Sequence, residues 1–353
     1  MELAKLREEI ELCVYCLLCE HICTVGKHTH SMVDFPTGKC LVLWDIISGR
    51  RDFDERAIDT IYKCCQCRLC EAWCVPNAKV PDVIKAARAI VVELGKAPQY
   101  VLDIKGRIDK WGNPYGELPK PKVIKDKVDV LYFVGCATRY FHPEIIRSTT
   151  DILKILNVNF DFLDGVCCGA PLLFYGFVKD AKKMAEQTAE VINRVKCNTL
   201  LTSCPECYRM FKKEYKEWGV EVLPEVFHVT EYLAREKPAF KGEMLVKVTY
   251  HDPCALGRGM GIYEEPRRLL ERIPGVKLVE MRWNREKANC CGGTLGVFPD
   301  LALEIARSRV AEAKETGAEM LLTTCPTCKR MFSLSERQIK VLDITEFIAQ
   351  SIR

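Results

Sequence analysis

Short apolar runs alternate with longer amphipathic segments along the second two thirds of the chain. The runs VDVLYFVG, TLLT and MLLTT are bounded by charged residues or glycine, and they predict short buried strands. Two segments between such runs have helical periodicity, with one apolar face formed by Ala181, Met184, Ala185, Thr188, Val191, Ile192 and Val195 and the other by Ala302, Ile305, Ala306, Val310 and Ala313. This alternation of strands and helices predicts layered α/β structure.

The same part of the chain contains an internal repeat. VDVLYFVGC, which ends at Cys136, matches VKVTYHDPC, which ends at Cys254, and CCGAPL matches CCGGTL. TLLTSCPECYRMF likewise matches MLLTTCPTCKRMF, and the three pairs are separated by nearly the same number of residues. Such a duplication predicts two similar α/β subdomains, at 127–240 and 241–353, related by a pseudo-two-fold axis.

The region before the repeats has a different pattern. A domain at 1–96 begins with a charged amphipathic segment in which Leu3, Leu6 and Ile10 share one helical face. The following residues, 97–126, are predicted to form a loop-rich linker because four prolines interrupt them, at positions 98, 114, 119 and 121.

Composition restricts the classes of function. The 353 residues are 48% apolar and 28% charged, which is typical of globular proteins, and the net charge of +4 with no run of five basic residues argues against nucleic-acid binding. The N-terminus lacks the apolar core of a signal peptide, and no apolar run reaches the roughly 18 residues of a membrane span. We therefore expect a cytoplasmic protein, or one held at a membrane only by a partner subunit.

Cysteine is the unusual feature, with 21 residues in the chain. In a reducing compartment, clustered cysteines more often bind metal or carry out redox chemistry than form disulfides. Three cysteines fit no pattern and are interpreted as ordinary small buried residues, namely Cys40, Cys65 and Cys197.

Two segments near the N-terminus have the C-x2-C-x2-C-x3-C spacing of two-cluster ferredoxins. In that motif the fourth cysteine ligates the other cluster. The spacing therefore predicts two [4Fe–4S] clusters, one held by Cys13, Cys16, Cys19 and Cys74 and the other by Cys64, Cys67, Cys70 and Cys23. Zinc is the alternative, although four cysteines within eleven residues are unusual for zinc. Ferredoxin motifs usually place proline directly after the last cysteine, whereas Thr24 and Val75 stand there in this chain.

Each repeat carries five further cysteines, which are Cys136, Cys167, Cys168, Cys204 and Cys207 in the first and Cys254, Cys290, Cys291, Cys325 and Cys328 in the second. Gly169 and Gly292 follow the paired cysteines and permit a turn that directs both side chains to one centre. Five soft ligands favour a metal–sulfur cluster, with a zinc site plus a spare thiol or a redox dithiol as alternatives.

These motifs identify a resemblance to the heterodisulfide reductase catalytic subunits, over nearly the whole chain. The stretches LTSCPECYRMFKKEY, YHDPCALGRG, EEPRRLL and CCGG are its most specific parts. The resemblance implies an all-helical ferredoxin-like domain followed by two α/β subdomains of the CCG type. It also implies that each five-cysteine set holds a noncubane [4Fe–4S] cluster, beside the two cubane clusters, and that the pair cleaves a disulfide such as that of coenzyme M and coenzyme B.

Two departures from the family pattern concern the site. Members often carry histidine directly after the cysteine of HDPC, where this chain has Ala255, so His251 is the substitute candidate for a proton donor, with a structural role as the alternative. Arg139 and Arg258 follow the first cysteine of each repeat and are candidate anchors for an anionic substrate, or else surface charges.

The resemblance also leaves a second function open. Related chains transfer electrons from flavin-dependent glycolate, lactate or glycerol-phosphate dehydrogenases to quinone, although they commonly lack the complete C-x2-C in one or both repeats, and both pairs are intact here. The chain has no complete G-x-G-x-x-G motif after a strand, so electrons are expected from a partner subunit, which would be a flavoprotein, a hydrogenase-linked protein or a cytochrome b.

Overall fold

A computed structural model describes residues 3–117, 125–335 and 338–352. Within residues 3–117 every regular element is a helix. These helices are α1 (Leu3–Glu11), α2 (Thr24–Thr29), α3 (Pro36–Ile47), α4 (Glu55–Tyr62), α5 (Leu69–Ala72), α6 (Val80–Glu93) and α7 (Gln99–Trp111), with 3-10 turns at Leu18–His21 and Met32–Asp34.

Helix α7 corrects the prediction of a loop-rich linker at 97–126. Pro98 immediately precedes this helix, where its fixed φ and missing N–H are tolerated, and Gly112 ends it in the left-handed conformation. The apolar side chains of Val101, Ile104 and Ile108 are buried on one face, a helical spacing that the proline count obscured. Pro119 and Pro121 lie outside the described residues.

The first repeat is a parallel sheet with helices. Its elements are β1 (Val130–Phe133), α8 (Cys136–Phe141), α9 (Pro143–Ile155), β2 (Phe160–Leu163), α10 (Ala170–Tyr175), α11 (Val178–Asn193), β3 (Thr199–Thr202), α12 (Pro205–Arg209), a π-helical turn at Met210–Glu214, α13 (Tyr215–Glu217), β4 (Glu225–His228) and α14 (Val229–Glu236). The strand order is β2-β1-β3-β4, and all three pairings are parallel.

The second repeat has the same plan. Its elements are β5 (Val246–Tyr250), α15 (Gly257–Met260), α16 (Glu264–Glu271), β6 (Val276–Leu278), a 3-10 turn at Arg285–Lys287, α17 (Pro299–Glu315), β7 (Met320–Thr323), α18 (Pro326–Ser335), β8 (Lys340–Asp343) and α19 (Ile344–Ser351). The order β6-β5-β7-β8 reproduces that of the first sheet. The predicted strands and the two amphipathic helices, now α11 and α17, are thereby confirmed.

The two repeats pack symmetrically. Helix α9 of the first repeat contacts helix α19 of the second. The equivalent helices, α16 of the second repeat and α14 of the first, contact each other in the same way. Reciprocal contacts of this kind are the mark of a two-fold relation. One core between the sheets contains Tyr132 and Leu201 from the first repeat and Tyr250 and Leu322 from the second, all fully buried.

The helical region contacts both repeats. Arg88 of α6 is fully buried and donates to the carbonyl oxygens of Phe174 (2.9 Å) and Cys64 (2.7 Å). On the other side, Thr294 Oγ1 of the second repeat donates to the Cys65 carbonyl at 3.0 Å. None of the helices in the described part of the chain is long and apolar enough to cross a bilayer.

Candidate functional site

The five cysteines of the first repeat meet at the carboxyl end of their sheet. Cys136 begins α8 in the short loop after β1, and Cys204 precedes α12 in the short loop after β3. The Sγ atoms of Cys136 and Cys167 are 3.6 Å apart, and Cys207 lies within hydrogen-bonding reach of Cys168 and Cys204. All five side chains are buried, so the predicted convergence of this set is observed.

The second repeat repeats this arrangement. The Sγ atoms of Cys291 and Cys328, the equivalents of Cys168 and Cys207, are 3.1 Å apart. Cys254 lies within hydrogen-bonding reach of Cys290. Cys325 is buried beside Cys328. The five cysteines of each repeat therefore lie close together, and their role as cluster ligands stays a prediction.

The turn after each cysteine pair requires glycine. Gly169 has φ +84° and Gly292 has φ +78°, a region that other residues rarely adopt. A Cβ atom at Gly292 would also lie 2.8 Å from the carbonyl oxygen of Ala302 in α17. The turn at this glycine brings the chain close to the helix that follows, and it directs the two adjacent cysteines to one centre.

The electrostatics of the thiols indicate why such a set needs a cation. Contact with Cys167, followed by burial, raises the pKa of Cys136 well above its usual value, whereas hydrogen bonds from Cys136 and Cys168 hold the pKa of Cys167 well below it. Only some of these thiols can therefore ionise together, because buried thiolates at such distances repel one another. A metal cluster would neutralise the set, and soft thiolates are the ligands that iron–sulfur clusters require.

The eight N-terminal cysteines are arranged in two groups. Cys13, Cys16, Cys19, Cys70 and Cys74 line one small cavity together with Pro36 and Thr37. Cys23, in contrast, lies near the second motif. Burial, together with the charges of the neighbouring Cys67 and Cys64, raises the pKa of its thiol to about 12. Cys74 thus lies beside the first motif and Cys23 beside the second, as the crossed ligand sets require, whereas Cys70, which those sets assign to the second cluster, borders the first cavity and also lies near Cys64 and Cys67.

The three cysteines interpreted as ordinary are not alike. Cys197 is only partly buried. Cys40 is fully buried, and its hydrogen bond lowers the pKa of Cys13 to about 6. Cys65 is buried and lies within hydrogen-bonding reach of Cys290. It also borders a cavity between the helical region and the two repeats, so it belongs to the surroundings of the second five-cysteine set.

A cavity of about 920 Å³ lies between the helical region and the two repeats. Cysteines from both five-cysteine sets border it, namely Cys136, Cys168, Cys204, Cys207 and Cys254. Apolar and aromatic side chains such as Phe141, Phe174 and Met331 form much of its wall. The cavity therefore gives a small molecule access to cysteines of both sets, with Cys254 the one described from the second.

The predicted anchors Arg139 and Arg258 do not border this cavity among its described lining residues. Arg139 forms an ion pair with Asp164 at 3.1 Å. Arg258 is used internally, because it donates to the carbonyl oxygens of Cys67 (2.6 Å) and Ala288 (2.7 Å). Its guanidinium thereby joins the second ferredoxin-type motif to the second repeat.

Other basic residues border the cavity instead. Arg209 is neutralised by Glu206 and by Glu214, which is buried. Its counterpart in the second repeat, Arg330, has no carboxylate partner in the described residues and stacks on Phe141 with 3.4 Å between its guanidinium carbon and the ring centre. Sequence alone could have found Arg330, because Thr327 replaces Glu206 in the matching motif.

His251 lies behind the second set of thiols and is not among the residues that border the cavity. One of its ring nitrogens and the sulfurs of Cys291 and Cys328 all lie within 4.8 Å of one another. Arg309 Nε donates to His251 Nδ1 at 3.1 Å, and burial, followed by the charge of Arg309, holds the pKa of this imidazole well below its usual value. A neutral, shielded ring does not fit direct proton donation to a substrate in the cavity.

Comparison with known proteins agrees with this architecture. The cysteine-rich CCG domain model matches residues 130–212 and 248–333. The chain is 33% identical over 331 residues to a subunit of the dihydromethanophenazine:CoB–CoM heterodisulfide reductase of Methanosarcina acetivorans, and the match covers 84% of this chain and 79% of that protein. The chain belongs to this family of heterodisulfide reductase subunits. It is accordingly an iron–sulfur oxidoreductase subunit.

More distant similarities widen the range of functions within this family. The EtfAB:quinone oxidoreductase of Syntrophomonas wolfei is 26% identical, with 84% of this chain and 47% of that protein covered. Among solved structures, a hypothetical protein from Helicobacter pylori has a TM-score of 0.62 at 12% identity, covering 90% of this chain and 68% of that one. This last similarity concerns the fold alone.

Proposed function

We propose that this protein reduces a mixed disulfide in the cavity between its helical region and its two repeats. The observation that carries the proposal is that cysteines of both five-cysteine sets border one cavity. The net reaction is RS–SR′ + 2 e⁻ + 2 H⁺ → RSH + R′SH, with both electrons supplied by a partner subunit. Two adjacent one-electron sites suit this two-electron reaction, because neither sulfur then has to leave as a free radical.

The cofactors proposed are two cubane clusters in an N-terminal ferredoxin-like domain (1–96) and one noncubane [4Fe–4S] cluster in each repeat domain, at 127–240 and 241–353. The cubanes would be held by the two crossed ligand sets and the noncubane clusters by the two five-cysteine sets. Bound clusters would supply one-electron transfer and affinity for sulfur. The protein supplies burial of the thiols, the glycine turns and the enclosed cavity.

Electrons are proposed to enter at the second repeat. The Cys67 thiol lies within hydrogen-bonding reach of Cys290, and Arg258 and Thr294 join the backbone of residues 65 and 67 to the same repeat. The second ferredoxin-type motif is therefore in direct contact with the second five-cysteine set.

The cavity wall indicates the chemistry of the substrate. Arg330 provides a cation without a carboxylate partner in the described residues, beside the end of the cavity formed by Tyr115, Phe141 and Cys136. We therefore propose that one half of the disulfide is anionic and binds Arg330 through its charge. The apolar wall that includes Leu173 and Phe174 would accept an uncharged chain. The heterodisulfide of coenzyme M and coenzyme B is the substrate that we propose to test first.

The alternative is electron transfer from a flavin-dependent dehydrogenase to quinone. The similarity to the EtfAB:quinone oxidoreductase favours it, and so does the largely apolar wall, which would accept a quinone ring. The two functions differ in what the cavity does, because quinone reduction requires no sulfur ligand exchange at either five-cysteine set.

One experiment separates these possibilities. The anaerobically purified protein should contain about sixteen irons, four per cluster, and after reduction it should convert the heterodisulfide to two thiols. An iron content near eight would mean that the repeats hold no [4Fe–4S] clusters and would exclude the catalytic proposal. Full iron content with quinone reduction and no thiol release would establish the alternative.

A further inference from the structure

The two repeats differ at one buried position beside their thiols. His251 follows the last residue of β5, and Phe133, the last residue of β1, is its counterpart in the sheet register. His251 packs edge-to-face on Phe332 with 4.8 Å between ring centres, and Phe133 packs in the same way on Phe211 at 4.9 Å. An imidazole therefore occupies, in the second repeat, the place of a phenyl ring in the first.

A second substitution accompanies the first. On the buried face of α17, Arg309 stands where α11 has Thr188, and the Thr188 hydroxyl donates to the Cys167 carbonyl at 2.9 Å. Arg309 is buried, donates to His251 Nδ1 and is held by an ion pair with Glu312 at 2.5 Å. The histidine and the arginine thus form a pair that only the second repeat contains.

This pair fixes the state of the imidazole. Arginine has only donors to offer, so Nδ1 must be the acceptor and the ring proton must lie on Nε2. Nε2 is buried and has no hydrogen-bond partner among the described residues. One ring nitrogen lies within 4.8 Å of the sulfurs of Cys291 and Cys328, and because Nδ1 already accepts from Arg309, we infer that Nε2 is the nitrogen that faces these sulfurs. An iron bound at Nε2 would favour a proton on Nδ1, directly opposed to the Arg309 N–H.

We propose that His251 is a fixed N–H donor to sulfur in the second-repeat cluster, rather than an iron ligand, and that it makes this cluster the easier of the two to reduce. Hydrogen bonds to cluster sulfur stabilise the more negative, reduced state and raise the potential. The first repeat has Phe133 at this position and lacks the donor. Because Cys67 contacts Cys290, the cluster favoured in this way would be the one that receives electrons first.

This inference rests on the proposed function only in requiring a cluster in the second repeat. The test uses the full-length anaerobic protein and an electron paramagnetic resonance titration against potential. The signal of the second-repeat cluster is identified as the one that is missing in Cys291→Ala. Hyperfine spectroscopy after exchange into D2O then reports whether an exchangeable proton and a nitrogen lie near that cluster.

We expect the wild-type signal to show exchangeable protons, among them those of the Gly292 and Gly293 amides, which donate to Cys290 and Cys291, and only weak nitrogen coupling. His251→Phe, which copies the first repeat, should lose one of the exchangeable protons and shift the potential of this cluster to more negative values without loss of iron. His251→Gln, which restores an N–H, should recover part of the shift, and Phe133→Leu should leave this signal unchanged. If His251→Phe lowers the iron content, His251→Gln carries the same test.

Strong nitrogen coupling in the wild type would show that His251 is an iron ligand and would overturn the proposal. An unchanged potential and an unchanged proton signal in His251→Phe would overturn it as well. Neither result bears on the proposed function, which fails instead if the wild-type protein lacks the signal that depends on Cys291.

Discussion

The guanidinium carbon of Arg330 lies 3.4 Å from the centre of the Phe141 ring, so a side chain of the second repeat reaches the first-repeat end of the cavity. Phe141 is the last residue of the helix that begins with Cys136. Burial lowers the pKa of Arg330, which nevertheless stays charged because guanidinium does not deprotonate in proteins. An anion bound to Arg330 would therefore be held beside the first five-cysteine set.

Arg330→Met should weaken the binding of an anionic disulfide and leave the chemical step nearly intact. Loss of a charged hydrogen bond costs roughly 1.5–3 kcal/mol, which corresponds to a KM increase of about 10- to 150-fold. Steady-state kinetics with the heterodisulfide and with an uncharged disulfide, bis(2-hydroxyethyl) disulfide, would measure the difference. Arg139→Met is the matched control, because Arg139 is paired with Asp164 away from the cavity. Equal effects on both substrates would refute an anion-binding role.

Cys23→Ala should damage the cluster assigned to Cys64, Cys67 and Cys70, and not the cluster of its own motif. The reason is that Cys23 lies near Cys64 and Cys67. Mössbauer and electron paramagnetic resonance spectra of the variant, compared with those of Cys64→Ala, should show loss of the same cluster. Cys197→Ala should retain all the iron. Spectra that instead match Cys13→Ala would show that each motif ligates its own cluster.

The repeat, its strands and its cysteine sets could be predicted because each depends on local pattern and spacing. The apolar stripe from Ala302 to Ala313 placed α17 correctly, but Arg309 lies on the same buried face and no periodicity predicts a charge there. Its partner, His251, comes from a strand more than fifty residues earlier, so their contact is a property of the packed sheet and helix.

The choice of anchoring arginine could not be read from distance along the chain. Arg258 follows its cysteine closely, yet its guanidinium is directed away from the cavity to backbone carbonyls of the ferredoxin-type motif and of the loop before Cys290. In the first repeat Glu206 pairs with Arg209, whereas Thr327 stands at the equivalent position of the second repeat. The guanidinium of Arg330 is therefore available to bind an anion. Comparing the two repeats residue by residue is therefore more informative here than proximity in sequence.

Gly292→Ala should destabilise the protein by about 1–3 kcal/mol, since a side chain is strained at positive φ and its Cβ would meet the Ala302 carbonyl at 2.8 Å. Anaerobic thermal unfolding should show a lower midpoint together with loss of iron from the second repeat. Gly106→Ala is the control, because Gly106 lies within α7 with open space around its Cα, and alanine there favours the helix. A wild-type midpoint for Gly292→Ala would mean that the turn can relax.

Asp343 should make stability fall as the pH rises. Burial raises the pKa of this carboxyl to about 7, against the opposing hydrogen bonds from Thr345, whereas an unfolded aspartate titrates near 3.9. Between these values the folded chain holds a proton that the unfolded chain has released, so its contribution is complete below about pH 4 and lost as the pH passes 7.

Asp343→Asn keeps a capping side chain for α19 but cannot ionise. Its stability relative to wild type should therefore improve between pH 5 and pH 8, by on the order of 1–4 kcal/mol. Anaerobic denaturant titrations at the two pH values would measure the change. A constant difference between the two proteins would show that Asp343 does not titrate in this range.

Cys168→Ala and Cys291→Ala should each abolish disulfide reduction while the N-terminal clusters remain. Four irons of a cubane require only four terminal thiolates, so a fifth cysteine can bridge irons and leave one open to sulfur. The adjacent cysteine pair suits that role, because Cys168 and Cys291 each lie close to a cysteine from the C-x2-C loop.

If both clusters act on one disulfide, either substitution alone should cost as much as the two together, since groups that act as a unit are not additive. Thiol release under reducing conditions, normalised to the iron retained, measures this directly, with Cys197→Ala as the active control. A variant that keeps half of the activity would mean that each repeat works on its own disulfide, and the shared cavity would then have to hold two substrates.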